Sequence, residues 1–336
     1  MKKTLKLIGL ILVAGALTFA SCDKSEDNTQ TDKTTQNDGG DNNGGNNGGD
    51  NGDNNGGDNG GGTDTPTVQI IDGALPGVFS VSQSQTVHFS MGNLQYRAST
   101  STWRFAVRQW DMVGEGNNNI SATYDGWIDL FGWGTSGWDN GTVAYQPYST
   151  SEDAGEYWPG NSPINDLTGD YARADWGVNN AISNGGNQAG MWRTLTIDEW
   201  VYLLNTRSAS TIGEVTDARW CKAMVDGVPG TIIFPDTYTH PSNMSTPNGI
   251  NAPDYRPGAN SYSIGEWNDM EIAGAVFLPK GDLRTGATYY KEIAGIYWSS
   301  TTCGEANAWM VGFYDDNVYI PDNSQRYNGF SVRLVK

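Results

Sequence analysis

The chain is poor in the residues that most chemistry requires. Its 336 residues include two histidines, His88 and His240, with no H-x-x-x-H spacing and no cysteine cluster beside either. That excludes a zinc site of the usual spacing, no metal is assigned, and each histidine reads as a hydrogen-bonded strand or loop residue. Cysteine is as scarce. After Cys22 only Cys221 and Cys303 remain, far apart in sequence. Two such residues are no disulfide framework; they either pair or stay as buried thiols, and the second is the expectation. Cations are few, with 20 Lys and Arg against 38 Asp and Glu and a net charge of −18. Such a chain repels a polyanion at long range, so nucleic acid is excluded as a partner. An acidic chain always offers carboxylates for glycosidic chemistry, but no spacing singles out a pair.

What is abundant has a clear order. Lys2, Lys3 and Lys6 precede an apolar run at 7–19 that is shorter than the ~20 residues a membrane span needs, and Phe19, Ala20 and Ser21 lead into Cys22. This resembles a lipoprotein signal peptide, residues 1–21, cut before Cys22. In that family the new N-terminal cysteine is acylated with several chains, which implies membrane attachment through lipid on Cys22. The following Asp23-Lys24-Ser25-Glu26-Asp27 resembles the acidic export tag of surface lipoproteins, placing the protein at the outer membrane and facing outward. Residues 22–66 then form a tether whose stretch 37–62 is Asn, Asp and Gly alone. It lacks the apolar surface needed to offset ordering entropy, and as a coil its reach is roughly 35–40 Å. The acids are irregularly spaced and no nonapeptide repeat appears, which argues against a calcium-binding array.

The folded part, 67–336, reads as α+β. Alternating or apolar runs predict strands at 77–81, 86–96, 103–107, 230–235, 274–279, 295–300, 308–314, 318–320 and 330–335. Trp309, Val311 and Phe313 alternate along one of them, as expected for a sheet with one face buried. Thr196 and Glu199 form a capping box that starts a helix at Ile197, with Leu195 and Trp200 as its hydrophobic staple. Between 114 and 187 the chain is rich in Gly, Asn, Asp and aromatics, so its order must come from internal packing of residues such as Trp127 and Trp133.

The pieces W-R-x-L-T-x-x-E-W at 192–200, G-A-V-F-L-P at 274–279, Y-W-S-S-T at 297–301, A-W-x-V-x-F at 308–313 and S-V-R-L-V at 331–335 resemble the FISUMP major-paralogous domains of surface lipoproteins. Those domains are similar to the formylglycine-generating, sulfatase-modifying superfamily. The resemblance implies a C-type-lectin-like fold: small twisted antiparallel sheets, one or two flanking helices and long loops that carry binding. On this reading the ligand-binding candidates lie in connections, namely Tyr314, Asp315, Asp316, Tyr319, Asp322, Asn323, Arg326 and Tyr327. Their composition suits recognition of an extracellular glycan or protein. The superfamily's oxidases use paired cysteines with copper; Cys303 stands alone in its region, so neither enzyme activity nor a cofactor is assigned. Trp267-Asn268-Asp269 matches a tripeptide found beside calcium in sugar-binding C-type lectins, but its Glu-Pro-Asn or Gln-Pro-Asp companion is missing. The alternative function is that of a structural or assembly subunit of the cell surface.

Overall fold

The computed structural model describes residues 67–138 and 145–336, with the backbone alone at residues 292 and 293. The signal peptide, Cys22 and the tether lie outside the described residues.

The chain opens with two short antiparallel pairs, β1 (Phe79–Ser80) with β2 (Thr86–Val87), and β3 (Leu94–Arg97) with β4 (Thr102–Phe105). The run 86–96 is therefore not one strand. Short 3-10 turns follow at Gly114–Asn119, Ala154–Tyr157, Pro159–Asn161 and Gly169–Ala174, and then the four-residue helix α1 (Trp176–Asn179). Helix α2 (Ile197–Val201) begins where the capping box demands: Thr196 Oγ1 accepts from the Glu199 amide at 3.2 Å, and the Glu199 carboxylate accepts from the Thr196 amide at 2.8 Å. It runs on into a π turn, Tyr202–Thr206.

Strands β5 (Trp220–Val225), β6 (Val228–Ile233), β7 (Ser261–Tyr262) and β8 (Val276–Pro279) form a four-stranded sheet in the order β7-β5-β6-β8, with α3 (Ile264–Ile272) inserted before β8. The helix α3 repeats the logic of α2, since Ser263 and Glu266 form a second capping box. Trp267 lies on this helix and is buried in the core, so the tripeptide at 267–269 is helical and its tryptophan is packing material.

A five-stranded sheet closes the fold, with β9 (Gly281–Thr285), β10 (Thr288–Cys303), β11 (Asn307–Phe313), β12 (Val318–Gln325) and β13 (Asn328–Gly329) in the order β12-β11-β10-β9-β13. The architecture is α+β, dominated by small antiparallel sheets. Strand β10 is much longer than the predicted 295–300, because register shifts let it bend and pair β11 with one half and β9 with the other. The final segment stays extended but joins no single ladder; isolated bridges tie Phe330 to Phe131, Ser331 to Tyr297, and Val335 to both Phe89 and Arg193.

Both faces of the five-stranded sheet are covered, not one. Strand alternation sends Ala294, Ile296, Trp298, Ala308 and Met310 into an aromatic core with Trp103, Phe131, Trp133, Trp176 and Trp192. Tyr297, Val311 and Phe313 point the other way, onto Trp200, Leu204, Ile233 and Leu278. The second sheet then buries its far side against α3 through Cys221, Ile232, Phe277 and Trp267. Full burial of each large apolar side chain contributes roughly 1.5–3 kcal/mol, so the doubly covered sheet is the stable frame on which surface features are mounted. Cys221 is a buried free thiol, hence not paired with Cys303.

Candidate functional site

The surface predicted from sequence divides between turns, at Tyr314, Asp315, Asp316, Arg326 and Tyr327, and the strand β12, which carries Tyr319, Asp322 and Asn323. Asp322 and Asn323 lie within β12, an edge strand of the five-stranded sheet, opposite Met310 and Trp309 of β11. Tyr314, Asp315, Asp316 and Asn317 make the turn into that strand, closed by a bond from the Tyr314 amide to the Asn317 carbonyl at 2.9 Å. Tyr319 is exposed, at 42%, and meets Tyr314 edge-on with ring centroids 5.4 Å apart. Asp315 is engaged: Lys280 Nζ donates to its carboxylate at 2.8 Å and Lys222 Nζ to its carbonyl at 3.3 Å. Asp322, Asn323 and Tyr327 are half-buried, and Asp316 is exposed.

Arg326 is the clear correction. It is 0% exposed, and its guanidinium donates to Pro163 O at 2.6 Å, Gly304 O at 2.8 Å, Asn307 O at 3.1 Å and Thr302 Oγ1. It also lies 4.7 Å from the Trp133 ring centroid. A cation enclosed this way ties the chain around residues 302–307 to the 159–163 segment and cannot reach a ligand. A polar run read without its tertiary neighbours looks the same whether its arginine points out or in.

The structure instead brings together residues that sequence reasoning passed over. In the β3–β4 hairpin, Leu94, Tyr96, Trp103 and Phe105 face the aromatic core, so the period-2 alternation turns Gln95, Arg97 and Arg104 to the opposite face. Ile128 bridges Tyr96 through reciprocal backbone bonds of 2.9 Å, extending the hairpin by a third short segment. Because Ile128 faces the core, its neighbour Trp127 falls on the polar face. There Arg104 lies 3.7 Å and Arg97 4.4 Å from the Trp127 ring centroid. Trp133 does pack internally as expected, with its indole N–H donating to Ser299 O at 2.8 Å, whereas Trp127 is half-buried and is a platform for two cations.

In front of this platform is a groove of about 480 Å³, lined by Gln95, Arg104, Arg108, Asp111, Tyr124 and Trp127 among others. Its volume lies within the ~300–1,000 Å³ range of small-molecule sites. Val107 and Met112 also line it, and Val107 is exposed. One wall is a tight turn in which Asp111 accepts from the Arg108 amide at 3.1 Å and from Arg108 Nε at 3.0 Å. The next residues are anchored from beneath: the buried Asp129 carboxylate accepts from the Val113 amide and from Asn117 Nδ2, each at 2.8 Å. Burial pushes the Asp129 carboxyl up to about 6 despite those bonds, with Asp282 nearby adding to the rise.

The charges of the groove are unbalanced. Arg104 donates through Nε to Gln95 Oε1 at 2.9 Å, and no hydrogen bond engages its terminal nitrogens among the described residues. Neither Arg97 nor Arg104 belongs to any of the ion pairs among the described residues. Burial and the Arg97 cation hold Arg104 below the usual arginine range. Arg104 nevertheless stays cationic at neutral pH, because a guanidinium starts from so high a value.

No group of three or more metal-ligating side chains occurs among the described residues, and both histidines have local partners: His88 at Leu75 O, His240 at Tyr238 and Ser245. No helix among the described residues is long and apolar enough to cross a membrane. No family model, no curated protein and no solved structure matches the chain.

Proposed function

We propose that this protein is a lipid-anchored, outward-facing surface protein whose folded part is a non-catalytic binding domain of the C-type-lectin-like, FISUMP kind, and that it takes its ligand in the groove at Trp127. The lipobox-like sequence ending at Cys22 and the Asn/Asp/Gly tether support the address; small antiparallel sheets with few helices and long aromatic segments support the fold assignment. One observation carries the site. In a chain of net charge −18, two arginines stack on one indole beside a groove with no carboxylate paired to either. Like charges held together cost stability, and the one acid acting on Arg104, Asp111, is itself bonded to Arg108, which leaves positive charge for a partner supplied from outside.

The test is a glycan-array and cell-surface binding screen with the full chain and its Trp127→Ala variant. Ligand signal lost in the variant, with the same melting temperature, is the expected result; signal unchanged by the substitution removes the groove as the site.

The edge strand β12 favours a second reading, in which the domain is an assembly subunit. Among the described residues no strand pairs with its outer edge, and Tyr319 is exposed upon it, a docking geometry for another chain. Stoichiometric co-purification of a partner, abolished by Tyr319→Lys, would support that reading over the first.

A further inference from the structure

The groove's mixture of groups narrows the class of ligand. Among the lining residues Arg104 and Arg108 exceed Asp111 by one charge, and Arg97 adds a further cation on the Trp127 ring. Asp125, two residues before Trp127, accepts from Ser99 Oγ at 2.7 Å. A single compact anion is therefore attracted at short range, while the net charge of −18 opposes an extended polyanion at long range. Guanidinium terminal nitrogens match the planar geometry of a carboxylate and bind it in two-point fashion.

A simple anion would need no more than the arginines, yet the groove offers more. Asp111 and Tyr124 line its side with polar groups, and Val107 and Met112 present apolar surface. Hydroxyl groups and one weakly apolar ring face are what such a lining accommodates. We propose that the groove binds a carboxylate-bearing sugar, a uronic-acid unit of an extracellular polysaccharide, with its carboxylate on Arg104 and Arg108 and its hydroxyls toward Asp111 and Tyr124. The inference rests on the reading of this groove as the ligand site and adds the chemistry of the ligand.

Calorimetric titration of the full chain with short oligomers of galacturonate, glucuronate and mannuronate, and with their methyl esters, tests it. At least one acid binds, its ester binds about tenfold or more weakly, and Arg104→Met weakens the acid by about tenfold or more with no fall in melting temperature. Arg108→Ala, at a more exposed position, weakens it in the same direction, and Tyr319→Ala leaves it unchanged. Equal binding of acid and ester overturns the assignment of a carboxylate while leaving the groove in place, provided Trp127→Ala still lowers both. Binding of the acid that ignores Arg104→Met and Arg108→Ala overturns the groove and the ligand class together. Complete displacement by acetate at equal concentration overturns the sugar, reducing the site to a general anion trap. Failure of every uronate overturns the inference, and a Trp127-dependent ligand in the surface screen would then keep the groove reading alone.

Discussion

The groove at Trp127 and the edge at β12 are both polar and both carry arginine, and they use it in opposite ways. At the edge, Arg326 is enclosed and bonded to three carbonyls and a hydroxyl, and the neighbouring Asp315 is taken by Lys280. In the groove, Arg97 and Arg104 are half-buried and meet an indole and each other, with no carboxylate in contact. Charge satisfied within the fold stabilises structure, whereas charge left over is available to a ligand. The contrast therefore separates a region that holds the molecule together from one that can change its partners.

The comparison breaks most visibly at Arg326. Arg326→Met removes the buried donor that holds three carbonyls and a hydroxyl, and the thioether cannot replace it. A loss of about 3–5 kcal/mol is expected in denaturant unfolding, with sugar binding in the groove unaffected at temperatures where the variant is folded. Burial already pulls this guanidinium down to about 10, yet it remains charged at neutral pH, so the cost is that of stranding its acceptors. A cost below about 1 kcal/mol would show that the edge is no better braced than the groove.

Asp129 sharpens the other half, because it anchors the groove wall through Val113. Its folded value of about 6 lies above the ordinary carboxyl value of 3.8. A group raised on folding contributes stability that is fully present below the unfolded value and is lost as pH rises through the folded one. Between about pH 4 and pH 6 the wild type is therefore expected to lose up to about 3 kcal/mol relative to Asp129→Asn, whose amide oxygen can still accept from Val113. Parallel stability profiles for the two proteins across that window would show that the carboxyl titrates without strain. The difference between the two proteins is the quantity to read, since burial also raises Asp175 and Glu271.

How much of this was legible beforehand follows from the range of each signal. The start of α2 could be read from Thr196 and Glu199 because a capping box is local, and the structure has both of its bonds. The identical signal at Ser263 and Glu266 was present but was overshadowed by the Trp267-Asn268-Asp269 tripeptide, a motif whose meaning depends on distant partners. The alternation of Trp309, Val311 and Phe313 was readable, but not that Ala308 and Met310 are equally buried, since that depends on what covers the second face. The groove had a usable signal as well. Leu94-Gln95-Tyr96-Arg97 and Trp103-Arg104-Phe105 alternate apolar with polar, which fixes two arginines and a glutamine on one face of a hairpin. What could not be read was the arrival of Trp127 on that face, because it depends on the long-range bridge between Ile128 and Tyr96.

Gly126 supplies a smaller effect confined to the groove. A Cβ there would meet the Tyr124 hydroxyl at 2.2 Å, so Gly126→Ala must displace that ring from the groove's side. Tyr124 is half-buried and can swing outward, which limits the stability cost to about 1 kcal/mol. The expected result is weakened binding in the same titrations with little change in melting temperature. Unchanged affinity would remove Tyr124 from the set of ligand contacts while leaving the arginines.

The smallest expected effects form a matched pair, Lys280→Met at the edge and Arg104→Met in the groove. Lys280 reaches a carboxylate whose side chain is 59% exposed, and such a pair contributes only about 0–1 kcal/mol, falling further in salt. Arg104 has no direct ion pair to lose, and its removal relieves repulsion from Arg97 that outweighs the attraction of Asp111, so its stability change should lie within about 0.5 kcal/mol of zero and can favour the variant at low salt. The two substitutions delete the same unit of charge from similarly accessible sites, so unfolding at low and high salt reads the difference between a cation with a partner and one without. A stabilised Arg104→Met that becomes ordinary in high salt is the signature of a site held in electrostatic tension. If instead it unfolds as readily as Arg326→Met, the guanidinium is a structural brace and the groove holds nothing in reserve for a ligand.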